Sequence, residues 1–353
     1  MPNITVELGE HAYKIEIARG LLSRLGSKLK EVSSADKVAI ITDTHVAPLY
    51  SKIAVEQVEA AGFKPVLVII EAGEEHKNLA TLSAVYDQLA AAGLTRKDLI
   101  VTLGGGVVGD LGGFAAASFL RGIAFVQVPT TILSQIDSSV GGKVAVDLPS
   151  GKNLVGSFYQ PKAVLIDPNL LASLPTRYLH DGLAEVIKTA AFGDEKFFAL
   201  LESCQQDGDI MGHIEEIIAT CCTIKAKVVG EDELDLGARM VLNFGHTIGH
   251  AVEQSFGYEK YTHGEGVAIG MVRITGQTEQ MGLTAAGTTE RLSKLLARFG
   301  LPTTIKLNTN DIIEVIKRDK KKRGDSITLV VVPEIGKGSL VKIPFSDLPK
   351  YIG

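Results

Sequence analysis

A chain of 353 residues, 45% hydrophobic and 22% charged, has room for two domains at roughly 150 residues each and the balance of a globular protein. Its net charge of −5 excludes the broad positive field that would draw nucleic acid or an anionic membrane, so an anionic ligand must be gripped by a local basic cluster. The start MPNITVELGE has no signal-peptide pattern, apolar runs such as 66–70 are far too short to span a bilayer, and Cys204, Cys221 and Cys222 form no C-x-x-C pair, which together predict a cytoplasmic protein.

Residues 4–17 alternate apolar and polar around Gly9-Glu10-His11, the period of a hairpin. Short apolar runs at 38–42, 65–70, 99–103, 125–128 and 164–166 then alternate with helix-like stretches such as 79–92, which predicts a parallel sheet covered on both faces. After about residue 174 the strands stop. Residues 178–300 read almost wholly as helix, with caps and breaks at Gly193, Gly208, Gly257 and Gly282, and a late alternating pair at 327–332 and 340–343 reads as a hairpin. The expectation is an α/β, Rossmann-like nucleotide domain over 1–174 and a mainly helical metal- and substrate-binding domain over 175–353, with the cleft between them as the default site.

The third of these apolar runs leads straight into Gly104-Gly105-Gly106-Val107-Val108-Gly109-Asp110, a G-x-G-x-x-G between strand and helix. Glycine lets a backbone approach a pyrophosphate, and the helix start offers N–H groups and partial positive charge. Such a turn can equally serve tight strand-to-helix packing. The usual dinucleotide fingerprint is also altered, since the strand that follows ends without an acid and the available one, Asp43, closes the first strand of the α/β region. Next comes a basic and polar run: Arg121-Gly122, Thr130-Thr131, Asp137 to Lys143, and Gly151-Lys152-Asn153. Three cations among small residues suit a phosphate or carboxylate, although a solvated loop with scattered lysines looks the same in one dimension.

In the helical half, Glu185, His246, His250 and His263 stand out. His246 and His250 are four apart and share a helix face, and two histidines with a carboxylate would hold a divalent metal while leaving room for substrate oxygens. By spacing alone, the third ligand could be His250, Glu253 or Glu265 as well as Glu185. His180 and His213 carry no such pattern and read as surface or capping residues.

Taken together, these segments resemble the 3-dehydroquinate synthases of the sugar phosphate cyclase family. The likeness runs in order through nearly the whole chain: Gly-Glu-x-x-Lys at 73–77, GGGVVGD at 104–110, RG at 121–122, VPTT at 128–131, DSSVGGK at 137–143 and GKN at 151–153. It continues with GLAEVIK at 182–188, LNFGHTIGHA at 242–251, HGE at 263–265 and DKK at 319–321. The resemblance implies zinc or cobalt on Glu185, His246 and His263. It implies NAD+ on Asp43, Glu74, Lys77, Gly105, Gly106, Val107, Val108, Gly109, Asp110, Thr130, Thr131, Lys143 and Lys152.

Substrate contacts carried over by resemblance fall on Arg121, Asp137, Lys143, Asn153, Lys188, Lys225, Arg239, Asn243 and Lys320, with His250 in proton transfer and phosphate contact. Lys143, Asn153, Asn243, His250 and Arg121 are assigned to phosphate, and Lys225 and Arg239 to carboxylate. The arginine at 121 is expected to reach across a homodimer interface. The family reaction converts 3-deoxy-D-arabino-heptulosonate 7-phosphate to 3-dehydroquinate and phosphate, in the shikimate pathway to aromatic amino acids. It runs by transient oxidation with NAD+, phosphate elimination, re-reduction and aldol closure. Another sugar phosphate cyclase would lack a substrate carboxylate for Lys225 and Arg239, and a metal-dependent polyol dehydrogenase would accumulate NADH.

Overall fold

A computed structural model describes residues 3–256, 260–320 and 325–353, with the backbone alone for 318–320. Two compact units emerge: residues 1–174 with 225–234, and residues 175–224 with 235–353.

Among the described residues the first unit holds nine strands: β1 (Asn3–Val6), β2 (Tyr13–Ile17), β3 (Lys37–Asp43), β4 (Lys64–Ile70), β5 (Leu99–Gly104), β6 (Ala124–Pro129), β7 (Lys143–Leu148), β8 (Gly151–Phe158) and β9 (Ala163–Ile166). Seven of them form one sheet in the order β1-β2-β9-β6-β5-β3-β4, antiparallel only between β1 and β2. The expected opening hairpin is present, and its second strand extends the parallel sheet through β9. Alternate residues feed opposite faces. Val38, Ile40, Leu99 and Val101 pack with helices α1 (Leu25–Val32) and α2 (Ala47–Ala60), whereas Ala39, Ile41, Ile100 and Phe125 pack with α3 (Leu79–Ala91) and α4 (Gly106–Ser118). Sheet residues buried on both faces explain the unbroken apolar runs, and each large side chain stabilises the fold by about 1.5–3 kcal/mol.

The run 137–158 departs from the expected loop. After the π-helical turn Ser134–Ser138, β7 and β8 pair as a separate antiparallel hairpin. Val144 and Val146 sink into the core beside α4, while most of β8 faces solvent.

The second unit contains α5 (Thr176–Gly193), α6 (Glu195–Ser203), α7 (Asp207–Gly212) and α8 (Ile214–Glu231), whose last residues group with the first unit. It continues with α9 (His246–Ser255), α10 (His263–Gln280), α11 (Thr288–Arg298), α12 (Thr309–Lys320), the hairpin β10 (Ser326–Glu334) and β11 (Lys337–Pro344), and α13 (Leu348–Ile352). Gly193 ends α5 and Gly282, at φ +71°, follows α10, but Gly208 lies inside α7 and does not break it. Gly257 is outside the described residues. The stretch 232–245 is not helical throughout; it crosses through the 3-10 turn Ala238–Asn243. Among the described residues no helix is long and apolar enough to cross a membrane.

Candidate active site

In the first unit the glycine run divides by function. β5 ends at Gly104 and α4 begins at Gly106. A Cβ on Gly109 would sit 2.8 Å from Gln127 Oε1 and one on Gly112 2.6 Å from Thr102, so these two let α4 lie close on the sheet, while one on Gly113 would sit 2.4 Å from Val144, where α4 meets the β7–β8 hairpin. Gly105 and Gly106 are different, because a Cβ there would meet only the side chains of Thr131 (3.1 Å) and Ser138 (3.3 Å). The N–H groups of Gly106, Val107 and Val108 have no acceptor within the helix, and at this turn they form the part suited to an anion. Thr130 N–H donates to Gly104 O at 2.9 Å, which ties the ends of β5 and β6 together.

Beside that turn, Lys77 gathers three chain segments. Its buried Nζ donates to Asp110 Oδ2 at 2.5 Å and to Asn153 Oδ1 at 2.6 Å, with Glu74 at 3.9 Å, and Lys152 lies 3.5 Å from Glu74. Burial alone would lower the Lys77 ammonium, but the charges of Asp110 and Glu74 outweigh it and the net shift is upward. Burial pushes the Asp110 carboxyl up against the pull of Lys77. Asp147, given no role from the sequence, holds this cluster in place: its N–H donates to Lys77 O at 2.7 Å and its Oδ1 accepts Asn153 N–H at 2.7 Å.

Four non-glycine residues among those described have positive φ: Leu120, Arg121, Asn153 and Asp235. Such backbone costs of order 1 kcal/mol or more and concentrates at functional positions. Arg121 and Asn153 are two of the residues assigned to the phosphate by resemblance. Asp137 accepts Lys225 Nζ at 2.6 Å on both Oδ1 and its carbonyl. Asp43 Oδ1 accepts the N–H groups of His45 and Val46 at 2.8 and 2.9 Å, so the acid at the end of β3 also shapes the entry to α2. Lys143 opens β7 on an exposed surface.

In the second unit, three helices converge. α9 and α10 cross backbone to backbone: a Cβ on Gly270 would fall 2.0 Å from Gly245 O, and one on Gly249 3.0 Å from Gly266. This approach brings the His246 and His263 rings to 5.0 Å, while His246 and His250, one turn apart on α9, lie 5.3 Å from each other. α5 supplies Glu185, whose Oε1 is buried, accepts no hydrogen bond, and lies 3.7 Å from His246 Nε2 and 3.6 Å from His263 Nε2. A buried carboxylate oxygen left bare between two imidazole nitrogens is costly as it stands, and a divalent ion satisfies all three. Their ligand atoms lie within 4.8 Å of one another.

The neighbours of this triad are equally ordered. Glu185 Oε2 accepts buried Lys188 Nζ at 2.5 Å. His246 Nδ1 faces Phe244 O at 3.2 Å, and His263 Nδ1 faces Glu253 Oε1 at 3.0 Å. Burial, with the positive charges of Lys188 and His263, holds His246 well below the ordinary imidazole value. Burial would lower His263 too, but the Glu253 hydrogen bond and the charges of Glu185 and Glu253 outweigh it and carry it up to about 9. Of the alternatives left open by spacing, Glu265 is engaged by Thr262 N–H (3.0 Å) and Arg177 (3.2 Å), and Glu253 stands behind His263. Asp181, one turn before Glu185, was not singled out by sequence, yet its Oδ1 accepts Gly264 N–H at 2.6 Å and fixes the start of α10.

Arg239, buried, is the second residue of the 3-10 turn before α9, and Asn243, exposed, is its last. His250 is exposed on α9. The side chain of Lys320, and Lys321, lie outside the described residues. His180 pairs with Asp207 at 2.8 Å and His213 with Glu216 at 3.3 Å, away from the triad's ligand atoms.

Comparison with known proteins covers the same ground. A model described as 3-dehydroquinate synthase N-terminal matches residues 67–181, and one described as 3-dehydroquinate synthase C-terminal matches 182–322. The 3-dehydroquinate synthase of Clostridium acetobutylicum is 49% identical over 353 residues, 100% of this chain and 99% of its own. A crystal structure of 2-deoxy-scyllo-inosose synthase complexed with carbaglucose-6-phosphate, NAD+ and Co2+ superposes with a TM-score of 0.89 at 26% identity, over 99% of both chains. ValA, the 2-epi-5-epi-valiolone synthase of Streptomyces hygroscopicus with NAD+ and Zn2+ bound, gives 0.87 at 25% identity, over 97% of this chain and 96% of its own.

Proposed function

Because the chain belongs to the 3-dehydroquinate synthase family and is an enzyme of that activity, we propose that it turns 3-deoxy-D-arabino-heptulosonate 7-phosphate into 3-dehydroquinate and phosphate with NAD+ and a divalent zinc or cobalt ion. The observation that carries the assignment of the metal is the bare, buried Oε1 of Glu185 between two imidazole Nε2 atoms. The cofactor pair supplies a Lewis acid at the substrate hydroxyl and a hydride acceptor that later returns what it took.

The rest falls to the protein's own side chains. Residues 1–174 serve as the dinucleotide domain: the helix start at Gly105 to Val108 receives the pyrophosphate, Gly109 seats that helix on the sheet, and Asp43, Glu74, Lys77, Asp110, Thr130, Thr131, Lys143 and Lys152 lie around the cofactor. Residues 175–353 hold the ion through Glu185, His246 and His263. Lys188 neutralises the outer oxygen of Glu185 and keeps Oε1 aimed inward. Lys143, Asn153, Asn243, His250 and Arg121 bind the substrate phosphate, and Lys225 and Arg239 the carboxylate, with Asp137 orienting Lys225 and Lys320 at the substrate. His250 moves protons near the phosphate. The enzyme works in the cytoplasm as a homodimer, in which Arg121, exposed and held at φ +67°, reaches the partner's substrate.

Glu185→Gln, His246→Ala and His263→Ala should each remove the bound ion and cut phosphate release by about a thousandfold, the scale of several kcal/mol of lost transition-state stabilisation. Metal content and phosphate release measured on the same samples check this. Full activity in a variant that has lost its ion would overturn the metal assignment.

A further inference from the structure

Both histidines of the triad present Nε2 to Glu185 because something holds Nδ1. For His246 it is a main-chain carbonyl, that of Phe244 at 3.2 Å. For His263 it is a side chain, Glu253, at 3.0 Å. We propose that Glu253 is the positioning residue of the metal centre: it accepts the Nδ1–H of His263, fixes the ring's tautomer and direction, and thereby sets the affinity for the ion. This rests on the assignment of Glu185, His246 and His263 as ligands.

Several observations converge on Glu253. It is 3% exposed, and a carboxylate taken out of water costs several kcal/mol unless it is paired, so its burial implies a committed partner. Its stem lies close to the helix crossing: a Cβ on Gly266 would lie 3.3 Å from Glu253 Cγ and crowd it, so glycine at 266 leaves the carboxylate room behind His263. The backbone of His263 is already locked by Asp181, which accepts Gly264 N–H at 2.6 Å. Rotation of the imidazole is the freedom that remains, and the Glu253 contact removes it. A carboxylate behind an imidazole also makes the opposite nitrogen a stronger donor, and loss of such a partner typically costs about 10–100-fold in metal affinity.

His250, Glu253 and His263 also come within 4.8 Å of one another, so Glu253 could instead bind an ion directly. The 3.0 Å separation from His263 Nδ1 is that of a hydrogen bond, which favours the positioning role. The two roles separate by experiment.

The test is equilibrium Co2+ and Zn2+ affinity by chelator competition, with the Co2+ absorption spectrum, on the full chain and on Glu253→Ala, Glu253→Gln and Glu185→Gln. The expected result is an affinity loss of about 10–100-fold in Glu253→Ala and about three- to tenfold in Glu253→Gln, which keeps an acceptor but not the charge. The Co2+ bands should keep their positions in Glu253→Gln. Wild-type affinity in both Glu253 variants overturns the inference while Glu185→Gln, if it fails to bind, leaves the ligand assignment standing. A loss in Glu253→Gln as deep as in Glu185→Gln, with displaced bands, overturns it in favour of direct ligation. Glu253→Gln preserves the buried hydrogen bond, so it decides alone if Glu253→Ala does not fold. Wild-type binding in Glu185→Gln would instead refute the ligand assignment itself.

Discussion

Lys77 keeps its charge in a place where burial works against it, because Asp110 lies 2.5 Å away and Asn153 2.6 Å away. Replacing it with Met leaves Asp110 facing an apolar stem and lets Asn153 drift from the helix start. Lys77→Met should weaken NAD+ binding at least tenfold, about 1.4 kcal/mol, while a calorimetric titration giving the wild-type dissociation constant would contradict the cluster's role. Residues of this kind were partly legible in one dimension. The lysine could be found through its place in Gly-Glu-x-x-Lys, but Asp147 could not, since its value comes from two backbone contacts made only once the hairpin folds. Spacing likewise left Glu185, His250, Glu253 and Glu265 as equal candidates. Burial separates them: only Glu185 combines a bare, buried carboxylate oxygen with two imidazole nitrogens about 3.6 Å distant.

Elements fix what single residues cannot. The two glycine pairs Gly245/Gly249 and Gly266/Gly270 let α9 and α10 touch, and that contact sets the separation of the histidines. In Gly270→Ala the new methyl meets a main-chain oxygen that has nowhere to go. Stability should fall by about 1–3 kcal/mol, at the upper end for overpacking, and metal affinity should fall with it. Unchanged thermal unfolding and metal affinity would contradict the close packing.

Asp98, at the entrance to β5, binds the first N–H of β3 through Lys37 at 2.8 Å, and the N–H and hydroxyl of Thr95 at 2.7 and 2.8 Å. Burial would raise this carboxyl, but the hydrogen bonds hold it below its ordinary value. A folded value below the unfolded one means stability present above about pH 4 and lost as pH falls through the folded value. Asp98→Asn should therefore cost about 1–3 kcal/mol near neutral pH, with the gap narrowing in denaturant unfolding as pH falls below the ordinary aspartate range. A gap independent of pH would contradict the assignment. The β7–β8 hairpin escaped the sequence because its second strand is mostly exposed, so Val144 and Val146 are too few to show a period of two among lysine, serine and glycine.

At the scale of the molecule, the parallel sheet was legible because residues such as Ile40 and Ile41 are buried on opposite faces, which leaves uninterrupted apolar runs. The helical half was legible as helix and as a candidate metal site, but spacing left its third ligand open, since Glu185 and His263 meet only through tertiary packing. Family membership follows from matches along 67–322 and from a relative 49% identical from end to end. A dehydrogenase built on the same plan would release NADH as a product, whereas a 3-dehydroquinate synthase returns the hydride within each turnover.

That difference is measured most directly by phosphate release from 3-deoxy-D-arabino-heptulosonate 7-phosphate with NAD+ far below the substrate concentration, followed together with NADH absorbance. The expected result is one phosphate per substrate, no net NADH, and loss of the reaction on chelation with recovery on adding zinc or cobalt. Steady accumulation of NADH, or no phosphate from this substrate, would contradict it.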